Sequence, residues 1–440
     1  MKPDVYLFNP TCELAVANGS TNYMAPGKLR RFEDELSTLP GFLASPTDLV
    51  LVNQVPGPQF TDRLEMAGFN HPVFFSRELL LADPEFSACA KGFLYPWGWS
   101  PAMHKVLASI KPGCCPEFLN SPVAEWREIH RDLYNRKSAL NLLKNITKQQ
   151  ISDQWLSWND FPEICTSHEQ IIALQQKWGK VVVKAPLSSS GRGLQVLRPG
   201  EYNQTNRQVI SGVLKQQEFV ITGPWHKKVL DLSFQFFSFG DGKVEYRGLT
   251  TFSTDHLGRY SGTYLQELPP DMEQELKEFI QQHIPAAFKV LEQALISSDY
   301  STSYYGWLGV DALIWRSDDG VLKFHPCLEI NCRFTMGAIA LSLRNHLAEQ
   351  SAGEFRIMHG KEGQFNRFCD EMVKNEPLIM EGGKIVSGFL PVTPDPPNVL
   401  SGAWISVKVN ESMKIRGIFR SNFIPPLLPI SLSYLQTNYY

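Results

Sequence analysis

The feature that most constrains the fold of this 440-residue chain is a pair of apolar runs around a short acidic turn, GVDALIWRSDDGVLKFHPCLEINCR, from Gly309 to Arg333. The three residues 318–320 end in a glycine, which adopts the left-handed conformation that closes many antiparallel hairpins. The stretch therefore predicts two paired, largely buried strands. Counting back from this turn, we expect Asp311 to lie opposite Cys327.

Polar side chains follow one face of this predicted hairpin. Because side chains alternate along a strand, Glu329, Asn331 and Arg333 share the face of Asp311, with Glu329 as its diagonal neighbour. Carboxylate and amide oxygens suit a hard cation that also binds phosphate, and a guanidinium can neutralise a transferred phosphoryl group. The alternative is a hairpin with solvated acidic residues, which the apolar neighbours disfavour. The pattern predicts a metal site at Asp311, Glu329 and Asn331.

A second motif, KVVVKAPLSSSGRGLQVL, covers residues 180–197. An apolar strand ends at Lys184 and opens into a loop of serines, glycines and one arginine. Such a loop lets the backbone approach phosphate closely, and the lysine supplies a positive charge. The alternative is an ordinary surface turn.

Composition excludes several classes of protein. Hydrophobic residues make up 43% of the chain and charged residues 20%, as in ordinary globular proteins. Because the formal net charge is -3, no electrostatic attraction to nucleic acid or to an anionic membrane is expected. The sequence shows neither a signal peptide nor an apolar run of membrane-spanning length, which predicts a cytoplasmic protein. The eight cysteines are scattered without a C-x-x-C pair, as is usual for reduced thiols. The common phosphate loop G-x-x-x-x-G-K-[ST], the G-x-S-x-G elbow and the H-E-x-x-H motif are all absent.

The order of apolar patterns predicts an α/β (α+β) protein of four parts: an N-terminal α/β domain at 1–125, a second unit at 126–215, a strand-rich unit at 216–350 that carries the hairpin, and a C-terminal appended element at 351–440. A long helical pattern after residue 272 is expected to be interrupted at Pro285.

The two motifs together, KAPLSSSGRGL and GVDALIW…LEINCR, resemble the ATP-grasp superfamily of ligases over roughly residues 130 to 340. The resemblance implies an ATP-grasp fold with an N-terminal pre-ATP-grasp domain, ATP and Mg²⁺ (or Mn²⁺) as cofactors, and Asp311, Glu329 and Asn331 as metal ligands. It implies catalytic roles for Arg333, Lys184 and Arg192. The implied nucleotide-binding residues are Lys137, Lys184, Ser188, Ser189, Ser190, Gly191, Arg192, Gly193, Glu218, Phe219, Val220 and Asp231. An exposed lysine at a helix start is the alternative for Lys137.

The expected activity is that of an ATP-dependent carboxylate–amine ligase, which forms an amide or peptide bond through an acylphosphate. Its partners would be a small carboxylate and an amine, such as an amino acid or peptide, and a homodimer is possible. Arg247 or Arg259 is a candidate for holding the acceptor carboxylate, although arginines in such a stretch are commonly solvated. Two alternatives stay open: a kinase on the same scaffold with a hydroxyl acceptor, and a non-catalytic nucleotide-binding protein.

Overall fold

The computed structural model describes residues 2–188, 193–254, 260–269 and 272–410. Three sheets organise this part of the chain: a four-stranded parallel sheet, a four-stranded antiparallel sheet and a nine-stranded antiparallel sheet. The α/β (α+β) fold class predicted from the sequence is confirmed. None of the helices in these described ranges is long and apolar enough to cross a membrane.

The N-terminal sheet has the strand order β3-β2-β1-β4. Its elements are β1 (Val5–Leu7), α1 (Cys12–Asn18), α2 (Gly27–Glu35), β2 (Leu49–Val52), α3 (Pro58–Met66), β3 (Val73–Ser76), α4 (Arg77–Ala82), α5 (Pro84–Ala88), β4 (Leu94–Pro96), α6 (Pro101–Val106) and α7 (Pro116–Leu119). The strand order reverses between β1 and β4, and the ends of these two strands meet at one crevice. Ser100 caps the start of α6, where its Oγ accepts a hydrogen bond from Met103 N at 3.2 Å.

A smaller unit follows, with two helices that precede its antiparallel sheet. Its elements are α8 (Glu128–Tyr134), α9 (Arg136–Thr147), β5 (Glu163–Cys165), α10 (His168–Trp178), β6 (Val181–Lys184), β7 (Leu194–Leu197), α11 (Gln204–Gln217) and β8 (Val220–Pro224). The strand order is β5-β8-β6-β7, and α10 and α11 cover a small apolar core of their own. The sheet delivers Lys184 to the start of the serine- and glycine-rich loop.

The nine-stranded sheet contains the hairpin predicted from the sequence. Its strands and helices are β9 (Lys227–Phe239), β10 (Val244–Thr254), β11 (Tyr260–Tyr264), α12 (Gln274–Ile296), α13 (Asp299–Thr302), β12 (Tyr305–Arg316), β13 (Leu322–Asn331), α14 (Met336–Arg344), β14 (Ser351–His359), α15 (Gln364–Asn375), β15 (Ile379–Glu381), β16 (Lys384–Pro391) and β17 (Ser401–Val409). The order is β13-β12-β9-β10-β11-β14-β17-β16-β15. Residues 351–409 therefore extend this sheet, and the predicted boundary at 350 falls within it.

One face of strand β9 packs against the apolar core, and the other face lies toward the polar side chains of the β12–β13 hairpin. Leu232, Phe234 and Phe236 are fully buried and share an apolar core with α12. The alternate residues, among them Ser233 and Gln235, face the other side of the sheet. The core-facing residues of α12 hold it as one helix through Pro285, so the predicted interruption is wrong.

Asp4, just before β1, gives the N-terminal sheet a pH dependence. Its carboxylate accepts a hydrogen bond from Phe93 N at 2.6 Å. Burial, partly opposed by this bond, raises the pKa of Asp4 from 3.8 to about 6. Because the folded state binds this proton more tightly than the unfolded state, Asp4 contributes stability that is present at low pH and is lost as the pH rises through about 6.

We therefore expect Asp4→Asn to flatten the pH dependence of unfolding. The wild type should gain about 1 kcal/mol relative to this variant when the pH falls from about 8 to about 5. Urea unfolding at the two pH values measures the difference, and Asp62→Asn, at an exposed position of α3, is the control. Parallel pH profiles for the wild type and Asp4→Asn would contradict the assignment.

Candidate functional site

The β12–β13 hairpin forms with the predicted turn but with a shifted register. Ser317 and Val321 close the three-residue loop, and Gly320 has a φ of 86°. Leu313 pairs with His325, as counting from the turn predicts.

Beyond that pair the register changes, and Asp311 lies opposite Glu329. The expectation that Asp311 faces Cys327 is therefore wrong. The shift occurs next to Pro326, which has no N–H to donate to the ladder, so one residue of β12 faces three residues of β13. The consequence is a direct cross-strand pair of two carboxylates.

Hydrogen bonds hold both oxygens of Asp311. Ser233 Oγ donates to Asp311 Oδ1 at 2.7 Å, and Asn331 Nδ2 donates to Asp311 Oδ2 at 3.0 Å. Burial, and then the charge of Glu329, raise the pKa of Asp311 to about 7, while the Ser233 hydrogen bond opposes the rise. Two partly desolvated carboxylates at one place favour binding of a cation.

Arg333 lies beside the Asp311–Glu329 pair and forms a buried ion pair with Glu13. Its Nε donates to Glu13 Oε1 at 3.0 Å, and its Nη2 donates to Asn331 Oδ1 at 3.0 Å. Burial disfavours the charged guanidinium, but the Glu13 carboxylate, its hydrogen bond to Arg333 and the other neighbouring groups, among them Glu329, together keep the pKa of Arg333 above its usual value. Arg333 is therefore a fixed positive charge next to Asn331.

Lys184 faces the same carboxylates from the end of β6. Burial and the neighbouring Arg136 lower the pKa of Lys184, whereas Glu329 and Asp311 act in the opposite direction. These couplings place the Lys184 ammonium in the electrostatic field of the carboxylate pair. The lysine of one motif and the acidic residues of the other are thus brought to one site.

Arg136 is the site residue that sequence reasoning missed. Its Nη2 donates to Glu329 Oε1 at 2.9 Å, and its Nη1 donates to Ala185 O and to Ser188 Oγ, each at 2.6 Å. The side chain is 7% exposed. One guanidinium therefore joins the start of the phosphate loop to a predicted metal ligand.

A signal for Arg136 was present in the helical period of α9. Its buried residues Ala139, Leu143 and Ile146 lie three, seven and ten positions after Arg136. That spacing places residue 136 on the buried face of the helix. Lys137, which sequence reasoning selected, is exposed, and its Nζ lies 5.9 Å from the ring centroid of Phe219.

The predicted adenine hinge follows α11. Glu218 ends that helix with a positive φ of 70°, and Val220 is buried at the start of β8. Lys137 therefore lies next to the hinge segment. The roles of Lys137, Glu218, Phe219 and Val220 stay predictions.

Asp231 lies in β9 on the same face as Ser233. Its Oδ2 accepts a hydrogen bond from Lys228 Nζ at 2.5 Å. Burial raises the pKa of Asp231, and the bond to Lys228 lowers it in part. The predicted contact of Asp231 with ribose stays a prediction.

Of the predicted phosphate loop, Ser188 and Gly193 lie within the described residues. Gly193 has a φ of 75°, its carbonyl accepts a hydrogen bond from Ala185 N at 3.0 Å, and a Cβ there would lie 3.0 Å from Ser188 Cβ. Glycine is therefore required where the loop rejoins β7. Ser189, Ser190, Gly191 and Arg192 lie outside the described residues.

Of the two arginines proposed for the acceptor carboxylate, Arg259 also lies outside the described residues. Arg247 donates to Glu245 across 2.9 Å and lies over the ring of Phe237, 5.6 Å from its centroid. Its charge is therefore already partly neutralised by Glu245. The acceptor role of Arg247 stays a prediction.

The donor set fits Mg²⁺ in the way expected for a nucleotide site. Asp311, Glu329 and Asn331 present carboxylate and amide oxygens, and Mg²⁺ takes one or two carboxylates together with substrate phosphates. Among the described residues, no group of three or more His, Cys, Asp or Glu side chains could hold a metal on its own. Two carboxylates and one amide are a donor set that leaves Mg²⁺ further positions for phosphate oxygens.

Comparison with known proteins gives one curated relative. No protein-family model matches the chain. Over 305 residues the chain is 25% identical to the butirosin acyl-carrier protein–L-glutamate ligase of Niallia circulans; the match covers 69% of this chain and 65% of the relative. The match thus spans less than two thirds of that ligase.

Similar solved structures cover most of the chain at low identity. The ADP complex of N5-carboxyaminoimidazole synthetase from Staphylococcus aureus is 11% identical, with 94% of this chain and 96% of that chain covered and a TM-score of 0.46. Biotin carboxylase from Campylobacter jejuni is also 11% identical, with 94% and 90% covered and a TM-score of 0.47.

Proposed function

We propose that this chain is an ATP-grasp protein and an ADP-forming ligase that joins a carboxylate to an amine. The observation that carries the proposal is the meeting of the Asp311–Glu329 pair with Lys184, Arg136 and Arg333. Acidic ligands surrounded by fixed cations suit a metal–phosphate group, because each charge then has a partner.

The proposed role of each site residue follows from its position. Asp311, Glu329 and Asn331 would hold Mg²⁺, which neutralises phosphate oxygens when bound. Lys184 and Arg136 lie on the side of the phosphate loop and would bind and orient the phosphates of ATP.

Arg333 lies on the opposite side, next to the N-terminal sheet, and would stabilise charge on the phosphoryl group as it passes to the substrate carboxylate. An amine then attacks the resulting acylphosphate, forms the amide bond and releases phosphate. The curated relative is named as a ligase of L-glutamate and an acyl-carrier protein, which supports an amino acid as one of the two partners here.

The test is a screen of amino acids, small carboxylates and peptides for stimulated ADP release, with mass spectrometry of the products. Stimulation that requires both an acid and an amine, together with an amide product, supports the ligase. A phosphorylated hydroxyl compound as the final product would instead show a kinase. A chain that binds no Mg·ATP would contradict both activities.

Lys184→Met is expected to weaken Mg·ADP binding about 10- to 100-fold, since a charge-assisted hydrogen bond to phosphate is lost. Apo stability should be unchanged or slightly higher, because the substitution removes a cation whose pKa burial already lowers. Calorimetric titration with Mg·ADP and thermal melts measure the two effects.

The control for this prediction is Lys180→Met, just before the same strand. Lys180 Nζ lies over the ring of Trp225, 4.8 Å from its centroid, and has no contact with the carboxylate pair among the interactions described above. Equal Mg·ADP affinity in Lys184→Met and the wild type would remove Lys184 from the nucleotide site.

A further inference from the structure

The N-terminal helix α1 contributes a side chain to the active centre. Glu13 is 7% exposed, and its Oε1 accepts a hydrogen bond from Arg333 Nε at 3.0 Å. No hydrogen-bond partner of its other oxygen, Oε2, is found among the described residues. The ion pair to Arg333 is therefore the main compensation for the buried Glu13 charge.

The crevice of the N-terminal sheet fixes α1 in this place. Asn9, just after β1, donates through Nδ2 to Gly98 O at 2.8 Å and so bridges the ends of β1 and β4. Gly98 is closely packed, since a Cβ there would lie 2.4 Å from Cys12 Sγ and 3.1 Å from Arg333 Cβ. The Glu13–Arg333 pair thus lies in a tightly packed junction.

A continuous chain of side-chain hydrogen bonds leads from Glu13 to the carboxylate pair. Arg333 donates through Nε to Glu13 Oε1 and through Nη2 to Asn331 Oδ1, each at 3.0 Å. Asn331 Nδ2 donates to Asp311 Oδ2 at 3.0 Å, and Ser233 Oγ donates to Asp311 Oδ1 at 2.7 Å. Every link in this chain is a direct contact between named atoms.

The guanidinium fixes which atom of each partner takes part in this series of hydrogen bonds. Arginine only donates hydrogen bonds, so the atom of Asn331 that faces Arg333 is the amide oxygen. Glu13 fixes the rotation of the guanidinium through Nε, and the rotation of the guanidinium fixes the amide of Asn331. Hydrogen-bond partners behind a metal ligand commonly change metal affinity or activity about 10- to 100-fold when they are removed, and Glu13 stands behind Asn331 through Arg333.

We propose that Glu13 is a positioning residue for the active centre, which acts through Arg333 on the predicted metal ligand Asn331. This inference rests on the proposed ATP-dependent function. It makes the N-terminal domain part of the metal site, so the site is complete only when α1 is packed against Arg333.

The test measures binding of Mn²⁺ to the protein in the presence of ADP, by electron paramagnetic resonance, for the full-length chain. Glu13→Gln is expected to raise the Mn²⁺ dissociation constant about 10- to 100-fold. The matched control is Glu33→Gln: Glu33 is partly buried and accepts hydrogen bonds from Thr11, next to α1, but it has no contact with Arg333 among the hydrogen bonds described. Glu33→Gln should bind Mn²⁺ like the wild type.

A double-mutant cycle separates positioning from general disruption. In the Arg333→Gln background, adding Glu13→Gln should leave the Mn²⁺ dissociation constant unchanged, since Glu13 then has no guanidinium to position. The double variant also lacks an unpaired buried charge, so it serves if Glu13→Gln alone does not fold.

The outcomes distinguish this inference from the proposed function. A folded Glu13→Gln variant with wild-type Mn²⁺ affinity, or effects of Glu13 and Arg333 that multiply independently, would overturn the positioning role alone. A wild-type chain that binds no Mn²⁺ with ADP would overturn the proposed function, and the positioning role with it.

Discussion

Glu329→Gln is expected to lower the rate of ADP formation by about 10² to 10³, roughly 3 to 4 kcal/mol of transition-state stabilisation. The substitution keeps the shape of the side chain and removes one negative charge. Glu329 lies directly opposite Asp311 and accepts a hydrogen bond from Arg136 at 2.9 Å. Loss of this charge therefore weakens the metal site and leaves the Arg136 guanidinium without its charged partner.

The stability of the Glu329→Gln variant should change little, because two effects oppose each other. Removing the charge relieves its repulsion of Asp311, which contributes to the raised pKa of that carboxyl. It also removes the partner of the buried Arg136, which costs stability. Thermal melts of the metal-free proteins measure the balance.

A matched control for this experiment is Glu354→Gln in β14 of the same sheet. Glu354 has a similar side-chain exposure, 34% against 29% for Glu329, and it also pairs with an arginine, Arg356. It lies five strands from β13 in the sheet order. ADP formation should be measured against Mg²⁺ concentration for both variants. Wild-type turnover of Glu329→Gln at low Mg²⁺ would contradict the metal site.

How far the sequence predicts this site depends on the range of each interaction. The turn at residues 318–320 and the pairing of Leu313 with His325 follow from local rules, and the structure has both. The Asp311–Glu329 pair depends on an irregularity at Pro326. A proline within a predicted strand signals such an irregularity but does not fix how many residues it displaces.

Contacts between distant segments were harder to predict. The helical period of α9 distinguishes Arg136 from Lys137, so this residue could have been found from the sequence. Glu13 could not, since its partner Arg333 is 320 residues away and no local pattern links them. A single sequence predicts which side chains share a face, and packing of separate units decides which of those faces meet.

Arg136→Met is expected to have the largest combined effect on stability and ligand binding. Methionine fills a similar volume without the charge, so the variant loses the Ala185, Ser188 and Glu329 hydrogen bonds while keeping most of the packing. Breaking a buried pair by removing one partner costs about 3 to 5 kcal/mol. Because Glu329 is 29% exposed and water can reach it, we expect a loss of about 2 to 4 kcal/mol.

The same substitution is expected to weaken Mg·ADP binding at least about tenfold, because a guanidinium that faces phosphate supplies a charge-assisted hydrogen bond. Urea unfolding and calorimetric titration measure the two effects. Lys144→Met, at an exposed position of the same helix, is the control for both.

Lys137→Met distinguishes the role of Lys137 from that of its neighbour Arg136. Lys137 is exposed, so its substitution should leave stability unchanged, whatever it does to nucleotide binding at the hinge. If Arg136→Met unfolds and binds Mg·ADP like Lys144→Met, the link between the phosphate loop and Glu329 is not functional. If Arg136→Met is the only one of the three variants that loses both stability and Mg·ADP affinity, Arg136 is the cation that links the phosphate loop to the β12–β13 hairpin. The placement of charge in the site then depends on how α9 packs.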